Sequence, residues 1–178
     1  MDPVIDWLLE GDPAIRWQVQ RDLLRSRSEV WRAVQARVAT EGWGARLLAR
    51  QDAAGRWTPR FYGTKWISTT YSMLLLRDFG LPATNRQARE ACALLLEGGL
   101  QRDGGINYFA SLKHSETCVT GMVLSILAYF DFEDERLNQV VEHLLEQQMP
   151  DGGWNCQSYY GATHSSFHTT ISVLEGLA

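Results

Sequence analysis

The sequence contains no apolar stretch of the roughly 18–20 residues that a membrane-spanning helix requires. Its first residues, 1–6, carry acids where a secretory signal has bases, so we expect no signal peptide. Basic charge is also scarce, because 17 Lys and Arg face 21 Asp and Glu and leave a net charge of −4. This balance gives no reason to expect binding to nucleic acid. We therefore expect neither a membrane span nor a nucleic-acid partner.

Cysteine is equally scarce, with only Cys92, Cys118 and Cys156 in 178 residues. An odd number at uneven spacing argues against a disulfide framework and for a reducing compartment. The sequence therefore predicts a cytoplasmic protein. Patterns that alternate apolar and polar residues with period two are also missing, which argues against β-strands and for an all-α fold.

Helical apolar patterns fill the chain, and its length suits a single domain. We expect residues 1–40 to form packed N-terminal helices and residues 41–178 to form three repeats of about 50 residues. Each repeat is predicted to contain a first helix with one apolar stripe and a second helix that is apolar on most sides. The predicted first helices are 45–50, 85–96 and 135–147, and the predicted second helices are 68–79, 116–130 and 167–178.

A glycine turn separates the two helices of each repeat. The turns read Gln51 to Trp57, Gln101 to Ile106 and Gln148 to Trp154, and each holds glycine, which permits a sharp reversal. We expect the Trp or Ile at the end of each turn to fold over the end of the first helix. Outer first helices alternating with buried second helices predict a partial α/α toroid.

The turns resemble the QW repeats of squalene–hopene cyclases, whose toroid fold is shared by the β subunits of protein prenyltransferases. The resemblance covers residues 41–178. It implies a ring with about twice as many inner helices, which further repeats, an oligomer or a partner chain would complete. The Asp-x-Asp-Asp acid of class II terpene cyclases is missing from this sequence, so cyclase activity is not expected.

Two segments, 113–120 and 164–170, align without a gap at a spacing of 50 residues. The alignment superposes His114 on His164 and Cys118 on His168. Both segments begin second helices, whose first turns are expected to face the central cavity. Thiolate, imidazole and carboxylate groups bind zinc, and a site with three protein ligands leaves a fourth position open for substrate.

The resemblance to prenyltransferase β subunits gives these residues roles. Glu116 and Cys118 are similar to the family's Asp-x-Cys pair, and His168 is similar to its His in a Tyr-His-Thr context. The resemblance implies zinc held by these three residues, and a contact between Lys113 and an isoprenoid diphosphate. The family's Arg and Tyr near these positions are replaced by Ala110 and Val119, and the segment between Cys and His is shorter.

The sequence thus suggests a zinc-dependent alkyl (isoprenoid) transferase acting in a central cavity. His114 and His164 would support the zinc ligands or replace them. Lys113 and the aromatic residues near the rim would contact an apolar or isoprenoid substrate; these are Tyr108, Tyr159 and Tyr160.

Three other interpretations stay open. The protein could be a non-catalytic toroid module that binds a lipid-like ligand or a protein partner. Cys118 and His168 could form a thiolate–imidazole pair instead of binding a metal. The matched Cys and His could also recur only because the structural repeat recurs, since Cys is often buried as an inert apolar residue.

Overall fold

The computed structural model describes residues 2–178, which form helices and loops with no β-strand among them. None of the helices in this range is long and apolar enough to cross a membrane. The α-helices are α1 (Pro3–Leu9), α2 (Pro13–Gln18), α3 (Ser28–Ala36), α4 (Gly42–Leu48), α5 (Thr69–Phe79), α6 (Arg86–Gly99), α7 (Thr117–Tyr129), α8 (Leu137–Glu146) and α9 (Phe167–Leu177). A π-helical turn, Val19–Leu23, follows α2. The prediction of an all-α chain is confirmed.

Several helices begin at a side chain that caps free backbone N–H groups. Asp12 accepts a hydrogen bond from the Ala14 amide, and Pro13 occupies the first helical position, where no N–H is needed. Asn85 accepts from the Ala88 amide at the start of α6, and Ser166 accepts from the Thr169 amide at the start of α9. These local signals explain why the helix starts could be predicted closely.

Helix α7 lies between α5 and α9, while α6 and α8 also pack against α7. Most of its apolar residues are buried, as the sequence predicts for a second helix. The α7–α9 contact is especially close, because a Cβ added at Gly121 would meet the Ser172 carbonyl oxygen at 2.5 Å. Glycine therefore lets the two helix backbones approach each other.

Helix α9 is less buried than the sequence predicts for a second helix. Val173 and Thr169 face α7 and are buried, but the other side of α9 is open. Phe167, Ile171 and Leu174 have exposed fractions of 94%, 56% and 49%. Nothing among residues 2–178 covers this apolar stripe.

The glycine turns close against the helices that precede them. Trp57 donates its indole N–H to the Leu47 carbonyl, and Trp154 donates to the Leu144 carbonyl. In the middle repeat Ile106 is fully buried at the corresponding place. The predicted fold of these residues over the ends of the first helices is confirmed.

Three side chains of α3 and α8 do not lie where a simple apolar stripe would place them. The apolar residues Val30 and Leu145 are 41% and 55% exposed. His143 lies on the inward side of α8 and is buried, with its Nδ1 2.8 Å from the Asp103 carbonyl oxygen. These differences arise because helical spacing defines a broad face, while the neighbouring elements decide which edge of it is covered.

Candidate functional site

Two cysteines meet where α7 begins. The backbone amide of Cys118 donates a hydrogen bond to Cys156 Sγ over 3.3 Å, and the two thiol groups lie close enough to shift each other's pKa. Cys156 lies in the loop that follows the third glycine turn, 38 residues further along the chain. Both residues are half-buried, whereas Cys92 is completely buried in the core. We call this arrangement the Cys118–Cys156 site.

Thr169 connects this site to the first turn of α9. Its hydroxyl lies 3.3 Å from Cys156 Sγ and shares a hydrogen bond with it. The same hydroxyl accepts a hydrogen bond from the Cys156 amide. The loop sulfur is therefore held between the N-terminal ends of two neighbouring second helices, α7 and α9.

Glu116 lies close enough to both sulfurs to act on their pKa values, and Cys118 lies close enough to Tyr62 to help raise the pKa of that tyrosine. Glu116 is the residue immediately before α7, and its Oε2 atom is buried without a hydrogen-bond partner among residues 2–178. The Tyr62 hydroxyl hydrogen-bonds to that of Tyr71, in the first turn of α5. The start of α5 thus completes one side of the site.

The two thiols have pKa values that move in opposite directions. The hydrogen bond from the Cys118 side chain lowers the pKa of Cys156, against the effect of burial. The same hydrogen bond and burial raise the pKa of Cys118. Of the two thiols, Cys156 is therefore the one whose ionisation the surroundings favour.

Burial also changes the ionisation of the groups around the pair. It raises the pKa of Glu116, although the nearby His114 partly opposes this change. It raises the pKa of Tyr62 as well, with the hydrogen bond to Tyr71 acting in the same direction. A cation placed beside the sulfurs would reverse these effects, because it would stabilise each anion.

The loops that carry the site are fixed by two equivalent aspartates. Asp103 accepts hydrogen bonds from the Ser115 hydroxyl and amide at 2.6 and 3.0 Å. Asp151 accepts from the Ser165 amide at 2.8 Å. Burial alone would raise the pKa of Asp103, but its hydrogen bonds outweigh burial and lower it. Each glycine turn is thereby tied to the loop that leads into the next second helix.

The predicted zinc ligands are only partly brought together. Glu116 and Cys118 lie at the site, but the His168 side chain is exposed and makes no hydrogen bond within residues 2–178. Across the described chain, no three His, Cys, Asp or Glu side chains are grouped so that they could hold a metal ion. His168 directly precedes Thr169, so its backbone is near the sulfurs even though its ring is directed elsewhere.

The two histidines predicted to assist differ in their surroundings. His114 stacks on Tyr159, with ring centroids 4.0 Å apart, and meets Tyr160 edge-on. This stack joins the loop before α7 to the loop before α9. His164 is exposed, and its Nδ1 lies 3.4 Å from the Thr163 hydroxyl.

The remaining predicted substrate contacts are separate from the sulfurs. Lys113 is exposed and lines a cavity of about 460 Å³ together with Asp103 and His114. Tyr108 donates its hydroxyl proton to the Leu95 carbonyl and lines a different cavity of about 490 Å³ beside Phe61. Tyr108 is thus part of the packing against α6.

Comparisons with protein-family models, curated proteins and solved structures gave no significant match. The helical fold and the Cys118–Cys156 site therefore rest on the chain's own residues.

Cys156 is the site residue that the sequence analysis did not single out. It lies two residues after Trp154, in a loop without helical periodicity, and its partner is distant in sequence. The sequence did contain a signal for Cys156. This residue follows a glycine turn and precedes a second helix, so it is expected to lie near the first turn of a second helix. The same position of the middle repeat is occupied by Tyr108.

Proposed function

We propose that this chain belongs to a prenyltransferase-like toroid protein that uses a thiolate site for metal-dependent alkyl transfer to or from an isoprenoid or other apolar molecule. The observation that carries the proposal is the contact between Cys156 Sγ and Cys118 at the shared end of α7 and α9. Neighbouring second helices, α5 beside α7 and α7 beside α9, support the toroid arrangement.

The donor set suits zinc. Two sulfurs are adjacent, and the hydrogen bond from the Cys118 side chain lowers the pKa of Cys156. The unpaired buried oxygen of Glu116 supplies a third donor of a type that zinc accepts. A zinc ion there would hold an acceptor thiol as a thiolate. His168 would complete the ligand set after its side chain turned toward the sulfurs.

The ligand count distinguishes a catalytic site from a structural one. Three protein ligands leave one zinc position for a substrate, whereas four protein ligands close the site. We propose Cys118, Cys156 and Glu116 as the three ligands of the open form, which requires their side chains to move closer together, because no three such groups among residues 2–178 already form a metal-binding cluster. The aromatic surface formed by Tyr159, Tyr160 and His114 would then support an apolar substrate beside it.

The test measures zinc binding and alkyl transfer on the same preparations. Zinc affinity is measured by competition with a chromogenic chelator for the wild type and for Cys118→Ser, Cys156→Ser and Cys92→Ser. We expect both site variants to lose at least about tenfold in affinity, and Cys92→Ser, a buried core change, to keep it. Transfer from isoprenoid diphosphates to small thiols is then assayed with and without zinc. A wild type that binds no zinc contradicts the proposal.

A second candidate function is assembly with another chain, and the exposed stripe of α9 favours it. In the 50-residue alignment, Phe167, Ile171 and Leu174 correspond to Thr117, Gly121 and Leu124, which are buried in α7. Helix α9 covers that face of α7. The equivalent face of α9 therefore has the character of a surface that another second helix covers.

We propose a second copy of the chain as the occupant of this stripe. The region around the start of α5 offers exposed apolar side chains to such a copy: Trp66, Ile67 and Leu75. Sedimentation velocity tests this, with Ile171→Glu as the disrupting variant and Val4→Glu, at an exposed residue of α1, as the control. A wild type that stays monomeric at every concentration contradicts assembly between copies.

A further inference from the structure

We infer that Cys118 and Cys156 form a thiol–disulfide exchange site, which reacts with small-molecule disulfides and closes to an intramolecular disulfide. This activity does not depend on the proposed alkyl transfer or on zinc. It follows from the placement of two partly exposed cysteines, Cys118 and Cys156, whereas the third cysteine, Cys92, is buried.

The geometry brings the sulfur of Cys156 to the backbone of Cys118. Its Sγ is 3.3 Å from the Cys118 amide nitrogen, and therefore within about 5 Å of the Cys118 Cα atom, given an N–Cα bond of about 1.46 Å. A disulfide needs the two Cβ atoms about 3.5–4.5 Å apart. Small movements of the loop that carries Cys156 are enough to bring the sulfurs into bonding contact.

The surroundings assign the first attack to Cys156. Its sulfur accepts the N–H of Cys118 in the first turn of α7, a helix of 13 residues, and shares a hydrogen bond with Thr169. Backbone N–H groups at a helix start stabilise a thiolate. We assign the second step to Cys118, because its own backbone N–H supports the Cys156 sulfur as the attacking thiolate.

The reaction balances in two steps. The Cys156 thiolate attacks a small disulfide, RSSR, forming a mixed disulfide at Cys156 and releasing one RS⁻. Cys118 then loses its proton to water and attacks the Cys156 sulfur, which forms the Cys118–Cys156 disulfide and releases the second RS⁻. The two protein thiols are oxidised by two electrons, and the small disulfide is reduced to two thiols.

The experiment treats the reduced, chelator-washed full chain with glutathione disulfide at pH 7 and follows the products by intact mass and peptide mapping. We expect the wild type to lose two of its three thiols to an internal disulfide, at a rate independent of protein concentration. Cys118→Ser should stop at the mixed disulfide on Cys156. Cys156→Ser should react at least about tenfold more slowly than the wild type. Cys92→Ser should behave as wild type.

Alanine variants at Cys118 and Cys156 are tested alongside the serine variants. A circular dichroism spectrum of each protein establishes whether its helical fold is kept. A folded wild type that forms no internal disulfide, or forms mixed disulfides at Cys118 and Cys156 independently, overturns the inference. Zinc content is measured separately on unwashed protein. A chain that forms the disulfide but never binds zinc would retain this inference while contradicting the proposed alkyl transfer.

Discussion

The indole N–H of Trp154 donates a 2.6 Å hydrogen bond to the carbonyl oxygen of Leu144, ten residues earlier in the chain. Trp57 makes the same contact with Leu47 at the same spacing, over 2.7 Å. Each tryptophan donates to a carbonyl in the last turn of a first helix, where fewer backbone N–H partners remain. The repeated turn is therefore a helix-closing device, and it positions the loop that carries Cys156 two residues later.

Replacing Trp154 tests this device. Trp154 is 3% exposed, so we expect Trp154→Phe to lower the free energy of unfolding by about 1–3 kcal/mol through the lost hydrogen bond and packing. The matched control is Trp7→Phe, at a tryptophan that is 68% exposed, where a change within about 0.5 kcal/mol is expected. Urea unfolding monitored by circular dichroism measures both. Equal effects in the two variants would refute the role of the turn.

The carboxylate of Asp103 should make stability depend on pH. Its pKa in the folded chain is lowered from the ordinary value of 3.8, so its contribution is complete above that value and disappears as pH falls through the folded pKa. At pH 7 we expect Asp103→Asn to lower the free energy of unfolding by only about 1 kcal/mol. The effect is small because solvent screens this exposed group.

The difference between the wild type and Asp103→Asn should shrink as the pH is lowered below about 4. This difference is measured as the difference between the urea-unfolding midpoints of the two proteins, from pH 7 to acidic pH. Glu133→Gln, at an exposed acid without ion pairs among the described residues, is the control and should leave the curve unchanged. A pH-independent difference would show that the charge of Asp103 is not responsible.

Adding one methyl group at Gly121 in helix α7 should destabilise the protein. In an ordinary helix interior, Gly→Ala stabilises by about 1 kcal/mol. Here the added Cβ would lie 2.5 Å from the Ser172 carbonyl oxygen and 2.8 Å from the Val173 Cα atom. We expect Gly121→Ala to destabilise the protein by about 1–3 kcal/mol, as measured by chemical unfolding. A stabilising change would mean that α7 and α9 lie further apart.

Much of the helical architecture could be predicted from local sequence signals. Apolar spacing places α7 and α8 within two residues of their observed bounds. Burial was less predictable, because periodicity does not say which neighbour covers a face. Helix α9 shows this, since Val173 is buried against α7 while Ile171, two residues earlier, is 56% exposed.

The candidate site was predictable only in part, for a physical reason. Glu116 and Cys118 belong to a helix start, where the direction of a side chain follows from the register of the helix. Cys156 belongs to a loop, and its contact with Cys118 depends on how two turns pack in space. The ring direction of His168 is likewise a property of the folded surroundings. The assignment of Glu116, Cys118 and His168 to zinc stays a prediction.

The most direct test of the thiolate site is X-ray absorption at the zinc edge of protein loaded with zinc. Two sulfur ligands near 2.3 Å are expected for the wild type, and one for Cys156→Ser, with the remaining ligands nitrogen or oxygen. Cys92→Ser should give the same spectrum as the wild type. Zinc without a sulfur ligand, or a folded wild type that holds no zinc, would contradict a metal centre built on Cys118 and Cys156.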